Sequence, residues 1–232
     1  MKIEIFNEDG ERVAELAAGK KKGINIVNWD YHLEVPKIAT GKTFTFGGFS
    51  APTAPAGTYK VVLTKGKETY ETTLELKNDP DSPLSKRQRR KLQDTTMKLY
   101  DMTQDLAYLV YQVDQYMAAA AQSESEEAKA ISDKLFKLKE TLVITTGDNY
   151  VGAAEPQLRE KLADLYSKIT QGFVPPSKSE LQNLDLIEGM FDKAKTEFSE
   201  LQKTDIPALT QLLEAEKAAK IDIKSFEDFL AD

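Results

Sequence analysis

The sequence predicts an α+β protein, with a sandwich-like β part over residues 1–80 and an antiparallel bundle of about four helices over 81–232. Three observations carry that expectation. Residues 1–77 alternate apolar and polar side chains with period two, as half-buried strands do. NDPDSP (78–83) then breaks the pattern, because two prolines remove ladder donors and Asp and Ser favour turns. Beyond it, apolar residues recur at seven-residue spacing in two seams, the mark of packed helices.

The strands come first. KIEIF sets Ile3 and Ile5 against Lys2 and Glu4. INIVNW (24–29) alternates less cleanly and holds the single tryptophan, Trp29. TYKVVL turns Tyr59, Val61 and Leu63 inward, and ETYETTLEL does the same with Tyr70, Thr72, Leu74 and Leu76. NEDG (7–10), AAGKKKG (17–23), PAG (55–57) and KGK (65–67) punctuate them as turns.

The helices follow. Ser82-Pro83 has the form of a helix start, a capping serine with proline at the first helical position. Leu92, Leu99, Leu106 and Val113 form one seam of the first helix, and Met102, Leu109 and Tyr116 the other. A second helix is expected from Ser123, capped with Glu126, to about Val143. ITTGDNYVGAAEP reads as a loop, and a third helix near 156–171 carries Leu158, Leu162, Leu165 and Ile169. Ser177 and Glu180 box the start of a fourth, with Leu184, Phe191 and Phe198 on one seam and Ile187, Ala194 and Leu201 on the other. Pro207 either kinks that helix or restarts it behind Thr204 or Asp205.

Composition narrows the function. The chain has no cysteine, which removes disulfides, thiolate metal sites and cysteine nucleophiles. Net charge is −7, against phosphate-backbone binding by the chain as a whole. Residues 1–81 hold 11 basic and 12 acidic side chains and residues 82–232 hold 20 and 26, so most of the negative charge sits on the helical part. No window approaches eighteen consecutive apolar residues, so no membrane insertion is expected. MKIEIFNEDG carries charge and a turn where a secretory leader needs an apolar run, which leaves either a cytosolic protein or a leader outside this sequence.

The β part also carries a recognisable order of residues: the turn Asn7-Glu8-Asp9-Gly10, then Gly23, Asn25, Val27, Trp29 and Asp30, then Pro55, Gly57, Thr58 and Tyr59. This order resembles the immunoglobulin-like domain of flagellar hook-capping proteins. LTKGKETYETTLELKNDPDSP, a long helix and the tail DIPALTQLLEAE add a resemblance to the C-terminal region of bacterial sortilin-like proteins, in which BNR repeats build a β-propeller. The resemblance implies a partial Ig-like sandwich lacking its N-terminal strands, and hence an exposed sheet edge at the N-terminus through which a homodimer could pair. It implies a non-catalytic accessory module of a larger extracytoplasmic protein (periplasmic, surface or secreted). Its partner would be the upstream β-propeller or another protein.

Individual residues give less. Trp29 reads as a core residue between two sheets rather than a ligand platform. His32, the single histidine, has no nucleophile or orienting partner in a motif, and no HExxH or paired histidine offers a metal site. No catalytic residue, metal ligand or cofactor site is therefore assigned. ATGKTF (39–44) imitates the end of a phosphate-binding loop, but Pro36 stands where that loop requires glycine. KRQRRK (86–91) lacks interleaved aromatics and reads as a solvated helix face rather than a nucleic-acid site. Phe44, Phe46 and Phe49, around a Gly-Gly pair, are the candidate partner-binding residues; packing against the sandwich or the helices is the rival reading. If exposed, this aromatic loop (44–49) would suit an independent adhesion or carbohydrate-binding module. A non-catalytic portion of a glycoside-hydrolase-like protein is the remaining alternative.

Overall fold

The computed structural model describes residues 1–43, 50–146, 154–172 and 174–231. Three of the expected segments, joined by one the alternation did not single out (Arg12–Ala17), pair into one antiparallel sheet: β1 (Lys2–Phe6), β2 (Arg12–Ala17), β3 (Gly57–Lys65) and β4 (Glu68–Leu76), in the order β2-β1-β3-β4. The β1–β2 turn closes on Asn7, whose Oδ1 accepts from the Glu11 amide at 2.8 Å, with Gly10 at φ 82°. The β3–β4 hairpin turns on Gly66-Lys67. Gly66 sits at φ 63° in the first central position, which matches the twist of the flanking strands.

Two expectations about this part are corrected. INIVNW joins no ladder, and Ile24 and Ile26 are 94% and 85% exposed. The reason is local. Asn25 accepts from the Lys21 amide and donates to the carbonyls of Lys21 and Gly23, folding this stretch on itself instead of onto a neighbour. The free edge is also not at the N-terminus: β1 is interior, paired on both sides, and the open edges belong to β2 and β4.

A second, mostly irregular layer covers one end of the sheet. Residues 31–33 and 52–54 run antiparallel, joined by the His32–Thr53 bridge and by the bonds Leu33 N–H to Pro52 O and Ala54 N–H to Tyr31 O. Leu33 and Ala54 bury Ile5, Ala14 and Tyr59, with Trp29 and Met97 packed at the margin. Trp29 is half-buried, donates through Nε1 to the His32 carbonyl at 2.8 Å and meets the Tyr59 ring edge-on at 5.4 Å.

The heptad seams become the helical core. α1 (Lys86–Ala120), α2 (Glu126–Leu142), α3 (Leu158–Thr170) and α4 (Lys178–Ala215) pack together, and a short α5 (Phe226–Ala231) lies outside them. Leu99, Leu106, Val113, Leu135, Leu162, Ile187, Phe191 and Leu209 are buried at its centre. Two starts shift from expectation. The α1 cap is Ser85, boxed with Gln88, because Ser82 and Pro83 still belong to the linker turn. The α2 cap is Ser125, leaving the Ser123 hydroxyl to bond Ser125 and Glu216. α4 runs through Pro207 without restarting.

The directions follow from the pairs between helices. Lys91 reaches the Pro176 carbonyl just ahead of α4, Lys98 pairs with Glu188, and Tyr116 meets Phe198, so α1 and α4 run parallel. Lys139 pairs with Asp114 and Lys134 with Asp205, so α2 runs against both. A side chain at Gly41 would meet both Val143, just after α2, and Arg159, at the start of α3, so the end of α2 and the start of α3 lie close together, and the two helices follow one another. The four helices thus form an up-down-up arrangement with a broken middle element.

The connection between Leu33 and Ser50 ties the two parts together. Ala39 is buried within the helical core, Thr43 bonds Glu160 and Arg159, and the Ser50 carbonyl accepts from the Tyr166 hydroxyl at 2.6 Å.

Candidate functional site

Chemistry at the surface concentrates in two places, the β4 edge and a cleft under the sheet. β4 is nine residues long with an unbroken register against β3. That register sets Leu74 beside Tyr59, Thr72 beside Val61 and Tyr70 beside Leu63, so all six side chains share the apolar face. The second layer covers Tyr59 but stops short of β4, where Tyr70 is 54% and Leu74 is 37% exposed. Natural sheets guard such edges with lysine, proline, bulges or inward-pointing charge. β2 has these guards: a register break against β1 at Ile5/Phe6, and Arg12 within 3.1–3.8 Å of Glu4, Glu15 and Glu34. β4 has no bulge, no proline and no lysine within Glu68–Leu76. Strand alternation turns the peptide groups of Thr69, Glu71, Thr73 and Glu75 away from β3 toward the open side.

The cleft has a volume of about 650 Å³ and lies between the bulged end of β2, the start of the 33–37 segment, α1 and α5. Tyr100 donates to the Glu34 carbonyl at 3.1 Å, and burial beside Glu34 and Asp101 pushes its hydroxyl up to about 12. Burial in the cleft, then the like charges of Asp105 and Glu11, push the Asp101 carboxyl up to about 6, although its side chain is still open to solvent at the mouth. Asp105 is raised as well, by burial first. At the far side α5 closes on α1 through an aromatic cluster: Phe229 stacks on Tyr111 at 4.9 Å, Phe226 meets Tyr108 edge-on, and Lys37 lies over the Phe229 ring. Burial accounts for both perturbed carboxylates, with like charge adding to it at Asp101 and Lys195 opposing it at Asp105, and no base–nucleophile relay lines the described cleft walls.

The residues weighed from sequence fall as follows. Phe44, Phe46 and Phe49 lie outside the described residues; their neighbours Thr43 and Ser50 are both held to α3. His32 is half-buried, with Nδ1 at 2.9 Å from the Asp30 carbonyl, and among the described residues no hydroxyl nucleophile is hydrogen-bonded to it. Gly41 of the phosphate-loop imitation makes room for a neighbour: a Cβ there would collide with the Arg159 guanidinium. In the basic run, Arg89 bonds the Leu84 carbonyl, Arg90 pairs with Asp94 at 3.6 Å within α1 and Lys91 reaches Pro176, so three of its charges are engaged, two of them at helix starts. Among the described residues, no group of three His, Asp or Glu side chains could hold a metal ion, and no helix is long and apolar enough to cross a membrane.

Arg159, Tyr166 and Asp101 escaped sequence reasoning. Arg159 follows a core leucine at a helix start and looks like an ordinary solvated position, yet it is 5% exposed, and burial lowers its pKa. Nothing in LREKL signals that a loop carbonyl 116 residues earlier would need its guanidinium. No family model, curated protein or solved structure matches the chain.

Proposed function

We propose that the chain is a non-catalytic interaction module that joins another polypeptide through the open edge of its sheet, with the helical bundle as a rigid arm. The observation that carries this reading is β4: a nine-residue edge strand exposed along nearly its whole length, apolar at Tyr70 and Leu74, beside a strand face that its own second layer leaves uncovered. Main-chain groups at such an edge supply affinity by strand addition, and alternate side chains supply specificity. The finer identity rests on the residue pattern. Pro55-Ala56-Gly57-Thr58-Tyr59 leads into β3 and Trp29 packs on Tyr59, which supports a partial Ig-like sandwich. On that resemblance the chain is the C-terminal part of a larger extracytoplasmic sortilin-like β-propeller protein, and the propeller or a separate protein would meet its helices.

The test is photo-crosslinking in the source cells, with a benzophenone amino acid replacing Tyr70 and, as a control, Lys193 on the solvent side of α4. A discrete heavier adduct from position 70 alone is the expected result. Equal or absent adducts at the two positions would overturn the reading.

A further inference from the structure

We propose that the occupant of the β4 edge is β4 of a second copy of this chain, paired antiparallel with Thr72 on the two-fold axis, so that two four-stranded sheets become one of eight. This rests on the interaction-module reading and adds to it the partner and the register.

The strand is self-complementary in one register. A two-fold axis perpendicular to the sheet keeps each face on its own side, so residues of one face oppose residues of the same face. With the axis at Thr72, the midpoint of Glu68–Leu76, all nine residues pair. Tyr70 then opposes Leu74 of the second copy and Leu74 opposes its Tyr70, which covers the two large apolar side chains that β4 leaves exposed in the monomer. On the other face Glu71 opposes Thr73 and Glu75 opposes Thr69, so no carboxylate meets a carboxylate. The adjacent registers fail on charge: an axis at Thr73 sets Glu71 against Glu75 twice, and an axis at Glu71 sets that residue against itself. Axes at Tyr70 or Leu74 leave only five residues of each strand in the ladder.

The backbone agrees. The two-residue turn at Gly66-Lys67 makes Lys65 and Glu68 a hydrogen-bonded pair, and alternation from there gives the peptide groups of Tyr70, Thr72 and Leu74 to β3. Those of Thr69, Glu71, Thr73 and Glu75 remain for the second copy. Thr72 would face its own counterpart in a non-hydrogen-bonded position, with Cα atoms about 4.5 Å apart. β2 offers no comparable pairing, because its register break and its Arg12–Glu15 pair interrupt the edge.

Position 72 opposes itself in this assembly, and that makes the test specific to the register. Thr72→Lys and Thr72→Glu, each alone, place like charges face to face at an exposed site that does not contribute to the monomer core. Sedimentation of the unaltered chain at tens of micromolar is expected to give twice 26.0 kDa, each variant alone 26.0 kDa, and an equal mixture of the two the dimer again. Unchanged far-UV circular dichroism shows that the variants fold. Because the chain has no cysteine, Thr72→Cys gives a second reading: mild oxidation should link the two introduced thiols across the axis, at a separation within the disulfide range of roughly 4.4–6.8 Å. Glu15→Cys, on the β2 edge, should stay unlinked.

A monomeric unaltered chain, with no disulfide formed by Thr72→Cys, overturns the proposal. So does a dimer that Leu74→Cys or Tyr70→Cys links and Thr72→Cys does not, or a dimer that neither charge variant disturbs. The photo-adduct from position 70 separates this failure from that of the underlying reading. An adduct at another mass, with a monomeric chain in the centrifuge, leaves the interaction module standing and removes the second copy.

Discussion

At the scale of single residues, environment rather than identity decides what each side chain does. Trp29 was legible only in part: it packs on Tyr59, but half-buried at the margin of one sheet rather than between two. Asp101 was not legible, because its neighbours in space are Asp105, one turn along α1, and Glu11, in the β1–β2 turn. Its perturbation has a definite sign. The folded chain holds the Asp101 proton more tightly than the unfolded chain, with a pKa of about 6 against an ordinary 3.8. This acid is raised rather than lowered, so the folded state is favoured below pH 4 relative to its stability above pH 6, and the loss accumulates as pH rises between those values. Asp101→Asn removes that loss. Urea unfolding at pH 7.5 should show the variant more stable by up to about 1 kcal/mol, a figure discounted because the side chain is solvent-accessible. At pH 3.5 the gain should vanish; an equal gain at both values would show that charge is not the cause.

At the scale of elements, periodicity was a good guide to where strands and helices lie and a poor guide to where they begin or pair. The heptads of α1 and α4 predicted the buried seams because packing against neighbours and helix geometry select the same positions. INIVNW failed as a strand because Asn25 hydrogen-bonds within its own turn, a competition that hydrophobic alternation does not register. Pro207 shows packing overriding propensity. Ile206 and Leu209 bury on either side of it, and the helix continues although the proline lacks the amide that would bond the Lys203 carbonyl. Since Pro207 itself is exposed, Pro207→Ala loses no packing. The restored hydrogen bond and relieved clash contribute about 3 kcal/mol, and the looser unfolded chain takes back about 1 kcal/mol. Denaturant unfolding should therefore show a net gain of about 2 kcal/mol with an unchanged m-value. A loss would mean that a bend at Pro207 is required for packing against α2.

At the scale of the whole molecule, the sequence divides cleanly into a β part and a helical part, but the structure couples them through contacts that no local pattern announces. Ala39 is buried among helical residues, and the Thr43 and Ser50 carbonyls end on Arg159 and Tyr166 of α3. Arg159 and Tyr166 are 5% and 0% exposed, so both bonds are made away from water, and losing either costs about 1–3 kcal/mol. The contacts should make the two parts unfold together. The chain reports on this without labels, since its one tryptophan sits in the β part and nearly all its helix lies after residue 85. In the unaltered chain, Trp29 fluorescence and helical circular dichroism should follow one urea transition with a common midpoint. Arg159→Met with Tyr166→Phe keeps the helical core filled while cutting the two buried carbonyl tethers. The fluorescence transition should then move to lower urea and separate from the helical one, because the sheet, with its thin core of Ile5, Ala14, Leu33, Ala54 and Tyr59, loses the support of α3. Two midpoints already separate in the unaltered chain, or still coincident in the double variant, would show that the tether does not carry the coupling.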